Sequence, residues 1–177
     1  MNDNLPVLYI SILLGILAIV AAILLRQIIK TRKIENRFSV LQKKLTKERG
    51  TAEEYYELAS IYLDKKLFVQ AVQLLQKALK TGNDLPSENK ALVYNALGFA
   101  HFSQEQYDIA IRNYKEAIKL YPQYTIALNN LANVYEKKQL TIQALETYKE
   151  TLNYDQNNRI AKKRVESLEK RFAVESK

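Results

Sequence analysis

A long apolar run opens the chain. Residues 5–25 carry no charged side chain, and only Pro6, Tyr9, Ser11 and Gly15 interrupt the aliphatic sequence. Because a helix rises about 1.5 Å per residue, these 21 residues would span about 30 Å, the thickness of the hydrocarbon core of a bilayer. The pattern predicts a single membrane-spanning helix that places residues 5–25 in the lipid bilayer.

The charges on either side of the run predict its orientation. Arg26, Lys30, Arg32 and Lys33 follow it, whereas residues 1–4 contain one acidic side chain and no basic one. A cleaved signal peptide, the alternative to an uncleaved anchor, would have a positive leader and a shorter apolar stretch of about 7 to 15 residues. Basic flanks stay on the cytoplasmic side. We therefore expect the N-terminus outside and the rest of the chain in the cytoplasm, or in the stroma of a plastid.

A second helical pattern follows the anchor. Apolar residues recur there at intervals of four, three and four: Ile34, Phe38, Leu41 and Leu45. This stripe predicts an amphipathic stalk over residues 34–50. Gly50 is suited to end the helix, and Thr51 with Glu54 forms the T-x-x-E pattern of a capping box, which predicts that a new helix starts here.

The rest of the chain contains an internal repeat. A shift of 34 residues places Leu128, Leu131, Ala132, Tyr135, Ala144 and Tyr148 on Tyr94, Leu97, Gly98, His101, Ala110 and Tyr114. A shift of 39 residues in the other direction gives an earlier copy that includes Tyr55, Leu58, Ala59, Tyr62 and Ala71. The five extra residues fall near residues 82–90, where Gly, Asn, Asp and Pro predict a loop. A period of this length is typical of stacked helix pairs.

The recurring residues predict how the pairs pack. Small residues belong where two helices cross closely, and large ones fill the space between the crossings. We expect Pro122 to end the second helix of its unit. The predicted packing set is Tyr55, Leu58, Ala71, Tyr94, Leu97, Gly98, Ala110, Tyr114, Pro122, Leu131, Tyr135, Ala144 and Tyr148.

These residues resemble the tetratricopeptide repeat, W-x2-L-G-x2-Y…A-x3-F…P, with conservative replacements. The resemblance implies an all-α fold: a transmembrane helix, a three-unit solenoid and a C-terminal capping helix. The domain boundaries that we predict are 1–33 for the anchor and its basic flank, 34–50 for the stalk, 51–158 for the repeats (units 52–85, 91–124 and 125–158) and 159–177 for the capping helix and basic tail.

The whole layout is similar to that of a narrower family. One N-terminal span, a short basic stalk and three repeats resemble the small membrane-anchored tetratricopeptide-repeat proteins of cyanobacteria and algal plastids. That resemblance implies a thylakoid protein that supports the assembly or stability of photosystem I. Nineteen Lys against eight Arg, with many Asn, Ile and Tyr, are typical of an AT-rich genome such as that of a plastid.

The composition argues against an enzyme. The chain has no Cys, one His and four Gly, so it has no thiolate nucleophile, no cysteine- or multi-histidine metal site and no glycine-rich phosphate loop. We expect no catalytic residue, no metal and no cofactor. The single histidine, His101, stands in a repeat position usually filled by Tyr, and we interpret it as a core residue and not as a ligand or base.

The net charge of +8 is unevenly distributed. Nine basic residues lie between Arg26 and Arg49, where anionic lipid would attract them. Residues 51–158 carry eleven basic and thirteen acidic side chains, whereas residues 159–177 carry seven and three. A repeat array that is slightly acidic disfavours nucleic-acid binding, although the basic tail keeps an RNA-binding helical repeat as an alternative.

The functional surface implied by the resemblance is a concave groove lined by the first helix of each unit. The residues that we predict to form a peptide-binding site there are Tyr56, Asn95, Phe99, Phe102, Asn129, Asn130 and Asn133, with Glu53, Glu57, Ser60, Asp64 and Lys137 beside them. An amide side chain both donates and accepts a hydrogen bond, which suits the backbone of an extended peptide. The alternative is that these amides are solvated surface residues. Tyr56, Ala96, Ile126 and Asn130 stand where the clamp for a C-terminal carboxylate would be, so we expect no such clamp.

The sequence thus favours an interaction module that binds a polypeptide, such as a subunit or assembly intermediate of a membrane complex, and neither a small-molecule substrate nor nucleic acid. The alternatives are a permanent subunit of such a complex, a bacterial membrane scaffold for an unrelated complex, and the RNA-binding protein mentioned above.

Overall fold

The computed structural model describes residues 5–175, and the side chains of residues 8–171 within them. The described residues form helices and turns without a strand. The elements are α1 (Leu5–Lys47), α2 (Ala52–Asp64), α3 (Phe68–Thr81), α4 (Ser87–Ser103), α5 (Tyr107–Leu120), α6 (Thr125–Lys137), α7 (Thr141–Tyr154) and α8 (Arg159–Glu175). The predicted all-α fold is confirmed.

Two compact units divide the chain, residues 1–47 and residues 48–177. The first contains α1, whose 43 residues correspond to about 65 Å of continuous helix. It passes without interruption from the apolar run into the basic stretch. Within the described residues it is the one helix long and apolar enough to cross a membrane, with a mean hydropathy of 2.9 over its most apolar window. Its side chains are exposed from residue 8 to residue 37.

The second unit begins at the predicted capping box. The hydroxyl of Thr51 accepts a hydrogen bond from the Glu54 amide at 3.3 Å, and the Glu54 carboxylate accepts one from the Thr51 amide at 3.1 Å. The Gly50 amide donates to the hydroxyl of Tyr55 at 3.3 Å. The Glu54 amide is one that the first turn of a helix leaves free, and together with the bonds of the Thr51 and Gly50 amides it fixes the start of α2.

Three helix pairs stack in order in this unit. α2 packs on α3, α4 on α5 and α6 on α7, each pair contacts the next, and α8 packs on α7. The turn inside each pair is the same. Lys66, Glu105 and Gln139 adopt φ angles of 59°, 59° and 60° at the spacing of the repeat. The repeat of the sequence is therefore also a repeat of backbone geometry.

The extra residues of the first unit lie in two places. The connection between α3 and α4 has five residues, one more than the four-residue connections that follow α5 and α7. The other four lengthen α4, which has 17 residues where α2 and α6 have 13. The predicted loop over residues 82–90 is thus shorter than expected, because Ser87 to Lys90 form an additional helical turn.

The predicted packing residues lie mostly in the core. Ala71, Ala110 and Ala144 have no exposed surface, and Tyr114 and Tyr148 are 1% and 2% exposed. Other residues of the set are also buried: Tyr55, Leu58, Leu97, Gly98, Leu131 and Tyr135. Tyr94 is half-buried, and Pro122 is exposed in the turn after α5.

His101 differs from its prediction as a core residue. It is half-buried, and its Nδ1 lies 2.6 Å from Oε1 of Gln106, which precedes α5. The shorter imidazole does not reach the position of Tyr135, its equivalent in the third unit, which is 8% exposed. His101 therefore joins the end of α4 to the start of α5 by a hydrogen bond.

Candidate peptide-binding groove

The first helices of the units present equivalent side chains to one face. Tyr56 on α2, Asn95 on α4 and Asn129 on α6 occupy the same repeat position, and all three are half-buried. Consecutive first helices contact each other from α2 to α4 and from α4 to α6. This face, which we call the groove, contains the amides that the sequence singles out.

Hydrogen bonds join two amides and a phenol across the middle of the groove. Nδ2 of Asn130 donates to Oδ1 of Asn95 at 3.0 Å, and Nδ2 of Asn95 donates to the hydroxyl of Tyr124 at 3.3 Å. Burial raises the pKa of Tyr124, and Tyr56 raises it further, while the bond from Asn95 lowers it in part. The phenol stays protonated at neutral pH, so this row is a neutral polar surface.

Asn129 is held by the start of α8. Oδ1 of Asn158 accepts from the Ala161 amide at 3.1 Å, and Nδ2 of Asn158 donates to Asp155 at 3.0 Å. Because these two bonds orient the Asn158 amide, its oxygen faces Asn129, whose Nδ2 donates to it at 3.1 Å. Oδ1 of Asn129 is then left buried and without a hydrogen-bond partner among the described residues. Asn129 contributes to the packing of α8 as well as to the groove wall.

A cavity of about 570 Å³ lies between α6 and α8 at this end of the groove. We call it the α6–α8 cavity. Its lining consists of Asn129, Asn130, Asn133, Glu136, Lys137, Tyr148, Ile160, Arg164 and Arg171. Three of the seven predicted groove residues therefore line one space, together with side chains from α7 and α8.

The carboxylate of the cavity, Glu136, is already neutralised. Arg164 donates to it from Nε at 2.8 Å and from Nη2, and the hydroxyl of Tyr148 donates to Oε1 at 2.9 Å. Burial raises the pKa of Tyr148 to about 12, so its hydroxyl remains a donor. The hydrogen bonds among Glu136, Tyr148 and Arg164 connect α6, α7 and α8. They also show that Arg164, which the sequence places in a basic tail, points into the repeat array.

Two cations and one amide of the cavity remain open to a ligand. Lys137, Arg171 and Asn133 are exposed, and none has a hydrogen-bond or ion-pair partner among the side chains of residues 8–171. With Glu136 paired to Arg164, the free charge of the cavity is the two positive charges of Lys137 and Arg171. This end of the groove is suited to hold an anionic group.

A smaller hollow of about 120 Å³ lies between α2 and α4 at the other end. We call it the α2–α4 hollow. It is lined by Ala52, Glu53, Tyr56, Leu85, Asn89, Leu92 and Val93. Four of these residues are apolar, and Glu53 carries the sole charge, so the hollow is suited to an uncharged side chain.

The two phenylalanines predicted for the groove differ in their surroundings. Phe99 is 42% exposed, with its ring edge-on to Phe68 of α3 at a centroid distance of 6.4 Å. Phe102 is half-buried against the core and lies 5.8 Å from the ring of Tyr107. Phe99 therefore has surface left for a ligand, whereas Phe102 uses most of its ring for packing.

The cavity residues from α8 were not predicted, because the pattern of residues 159–177 indicated a capping helix and tail, and Tyr148 of α7 was predicted only as a packing residue. A signal for them was present. The same shift of 34 residues places Ile160 on Ile126, Arg164 on Asn130 and Arg171 on Lys137, so α8 is the first helix of a fourth unit. The positions of α8 that line the cavity are therefore the repeat equivalents of positions on α6.

Two other basic residues toward the C-terminus are paired. Lys149 on α7 bridges to Glu169 on α8 at 2.7 Å, and Lys170 bridges to Glu166 at 2.7 Å. Of the basic residues on α8, Arg164 and Lys170 are thus in ion pairs. Among the residues that line the α6–α8 cavity, Lys137 and Arg171 are the cations without such a partner on the described side chains.

Comparison with known proteins agrees with the repeat. Models of the tetratricopeptide repeat match residues 51–123 and 95–159. Such repeats are generally non-catalytic interaction scaffolds that bind peptide partners. By fold alone, the chain is similar to MamA, with a TM-score of 0.72 and 22% identity over 81% of each chain. It is also similar to the first repeat domain of Spaghetti (RPAP3), solved with the HSP90 peptide SRMEEVD, with a TM-score of 0.62 and 18% identity over 69% of this chain and 93% of that one.

Two relatives match almost the whole chain. The chloroplastic tetratricopeptide repeat domain-containing protein PYG7 of Arabidopsis thaliana is 32% identical over 94% of this chain and 55% of its own length. The ycf37 protein of Cyanophora paradoxa is 36% identical over 169 residues, which cover 96% of this chain and 98% of that protein. The match includes the apolar helix as well as the repeats. The chain therefore belongs to the ycf37 family of tetratricopeptide-repeat proteins.

Proposed function

We propose that this protein is a thylakoid membrane protein that binds a polypeptide in its groove and supports the assembly or stability of photosystem I. The observation that carries the proposal is the similarity of almost the whole chain, apolar helix and repeats together, to the ycf37 protein of Cyanophora paradoxa and to the chloroplastic PYG7. The groove supplies the binding surface, and the resemblance of the whole layout implies the complex.

The anchor belongs to this function because it restricts the repeats to a membrane surface. The apolar part of α1 is long enough for a bilayer, and four basic residues follow it within eight positions. By the positive-inside rule, the N-terminus lies in the lumen and the repeats lie in the stroma or cytoplasm. In that position the groove meets the stromal segments of membrane subunits before or during their assembly.

The groove is suited to a polypeptide for a chemical reason. Its middle presents neutral amides and a protonated phenol, which donate and accept hydrogen bonds without requiring a charge on the ligand. Each bond of this kind contributes about 0.5–1.5 kcal/mol, so several along an extended backbone are needed for a stable complex. Exposed apolar rings such as Phe99 add contacts to side chains.

Co-purification from native membranes tests the proposal. The tagged full-length protein is solubilised in mild detergent and recovered, and its partners are identified by mass spectrometry. We expect photosystem I subunits with the wild type and loss of them with Asn133→Trp, which fills the α6–α8 cavity without adding a charge. The matched control is Gln143→Trp, at an exposed position of α7 that lines neither cavity.

Three results would contradict the proposal. Recovery of the same subunits with Asn133→Trp would mean that the groove is not the binding surface. Absence of photosystem I subunits from the wild-type sample, with subunits of another complex present, would favour a scaffold for that complex. Partners lost on nuclease treatment would favour the RNA-binding alternative.

A further inference from the structure

The two cavities of the groove differ in chemistry, and we propose that together they select one kind of segment: an extended, internal stretch of a partner protein with an apolar residue at one end and acidic residues about six positions away. The proposal rests on the proposed function, since it describes the ligand of the same groove. It adds the composition and spacing of that ligand.

The acidic end follows from the α6–α8 cavity. Its carboxylate, Glu136, accepts three hydrogen bonds from Arg164 and Tyr148 and so repels an incoming anion little. Lys137 and Arg171 face the same space without a partner among the side chains described. Two cations that face one space attract a carboxylate together, and an Arg guanidinium can bind it in a bidentate manner. The exposed amide of Asn133 beside them is available to form a hydrogen bond with the backbone of the ligand.

The apolar end follows from the α2–α4 hollow. Ala52, Leu85, Leu92 and Val93 form most of its wall, and its volume of about 120 Å³ is that of one aliphatic side chain and not of a longer segment. Glu53 at its edge disfavours an acidic residue there. The two ends of the groove therefore discriminate against each other's ligand, which fixes the orientation of the bound segment.

The spacing follows from the repeat. Tyr56 in the hollow and Asn129 in the cavity occupy the same repeat position, two units apart, so both spaces open on one face. Packed helices lie about 8–10 Å apart, and two such steps cover about 20 Å. An extended chain advances about 3.3 Å per residue, which gives about six residues between the two contacts. The amide row of Asn130 and Asn95 lies between them, where it meets the backbone.

The carboxylates that we propose are those of side chains and not of a chain terminus. The cations belong to α6 and α8, at the last unit, whereas the positions expected for a terminal-carboxylate clamp hold Tyr56, Ala96, Ile126 and Asn130. The residues at those positions carry no positive charge and do not form such a clamp, so an internal segment is the ligand that fits.

Fluorescent peptides of nine residues test this with the full-length protein in nanodiscs of zwitterionic lipid, which neither repels the acidic peptide nor competes with it for basic side chains. Each peptide is acetylated and amidated and carries one leucine and two glutamates six positions away, joined by serines. Both chain directions are made, because the cavities specify the ends and not the direction. We expect one direction to bind, and replacement of both glutamates by glutamine to weaken it about tenfold or more, as the loss of a charge-assisted contact would.

Protein variants locate the contact. Lys137→Gln with Arg171→Gln should weaken the peptide about tenfold. Arg159→Gln with Lys162→Gln removes the same charge from exposed positions of α8 that do not line the cavity, and it should leave binding within about twofold. A peptide with the leucine three positions from the glutamates should bind as weakly as the glutamine peptide.

The opposite results overturn the inference. Failure of both directions to bind, equal binding of the glutamine or short-spaced peptide, or equal loss in the control variant would each show that the two cavities do not select this segment. A free C-terminal carboxylate that replaces both glutamates without loss would show a terminal clamp instead. The peptides could fail to bind while photosystem I subunits still co-purify with the wild type and are lost with the Asn133 variant. In that case the ligand inference alone is wrong and the proposed function stands.

Discussion

Gly98 and Tyr114 show how a single atom sets the distance between two helices. A Cβ atom on Gly98 would lie 2.6 Å from Cε1 of Tyr114, closer than such atoms approach in proteins. In the first unit, the equivalent residues are Ala59 and Leu75, both without exposed surface. In the third unit, the equivalent residues are Ala132 and Tyr148, which are 0% and 2% exposed. The same crossing is thus filled in three ways: by a ring against glycine, by leucine against alanine, and by a ring against alanine.

Gly98→Ala tests this relation. Alanine favours the helix by about 1 kcal/mol over glycine, but overfilling a packed crossing costs about 1–3 kcal/mol, so we expect a net loss of stability. In the background of Tyr114→Leu, which reproduces the pair of the first unit, the same change should be neutral or favourable. Urea unfolding of the four proteins, followed by circular dichroism in micelles, measures the coupling. If the stability changes of the two substitutions are strictly additive, the ring of Tyr114 and a Cβ atom at position 98 do not compete for the same space.

The groove amides show which residue properties the sequence predicts and which it leaves open. The repeat position of Asn95, Asn129 and Asn133 identifies them as groove-facing, because the helical period fixes the face. Their partners depend on residues outside the repeat pattern. Asn129 is drawn into the packing of α8 by Asn158, 29 residues away, whereas Asn133 stays free. A substitution of Asn129 would therefore disturb the fold as well as the groove, and Asn133 is the better residue for a test.

At the scale of elements, the three turns inside the helix pairs depend on residues in the left-handed region. Lys66, Glu105 and Gln139 have φ angles near 60° without being glycines. Each amide donates to a carbonyl at 2.9 Å: Leu63, Phe102 and Glu136 respectively. This conformation costs a residue with a Cβ about 1 kcal/mol or more, and the hydrogen bond and the packed helices maintain it.

Glycine at these positions should stabilise the protein. We expect Glu105→Gly to raise the free energy of unfolding by up to about 1 kcal/mol, since it removes the strain of the left-handed region and keeps the backbone hydrogen bond. Glu105→Ala is the matched control, because it removes the same side chain atoms beyond Cβ and retains the strain. A denaturation midpoint that is equal for the two variants would mean that the turn is not strained. The same comparison at Gln139 should give the same sign.

The boundaries of elements were predicted where a local signal exists. The capping box of Thr51 and Glu54 marks the start of α2 because both hydrogen bonds lie within four residues. The extra turn of α4 carries no such signal, since Asn, Lys and Ser after Pro86 are equally frequent in loops. The role of α8 in the cavity depends on contacts with α6, 28 residues earlier in the chain, such as that between Arg164 and Glu136. The charge of residues 159–177 alone indicated a solvated tail, whereas in the structure Arg164 and Arg171 line the α6–α8 cavity.

At the scale of the whole molecule, the chain joins two units with opposite requirements. α1 exposes a row of large aliphatic side chains, Leu13, Leu17, Val20 and Leu24 among them, which water does not solvate favourably. The unit of residues 48–177 buries its apolar side chains in a core of its own. A bilayer would satisfy the first requirement and water the second, and this distribution of apolar residues supports the proposed membrane anchor.

This division predicts how the protein behaves on extraction. The full-length chain should stay in the membrane pellet at alkaline pH, because transfer of about 20 apolar residues to water is far more costly than the loss of ionic contacts that carbonate removes. A chain that starts at Ile34 should be soluble and helical. The matched control is Leu13→Asp with Leu17→Asp, since each acidic residue near the centre of a span opposes insertion by about 2.5–3.5 kcal/mol. Immunoblots of pellet and supernatant decide the outcome. Release of the unaltered full-length chain into the supernatant would mean that α1 attaches to the membrane surface without crossing it.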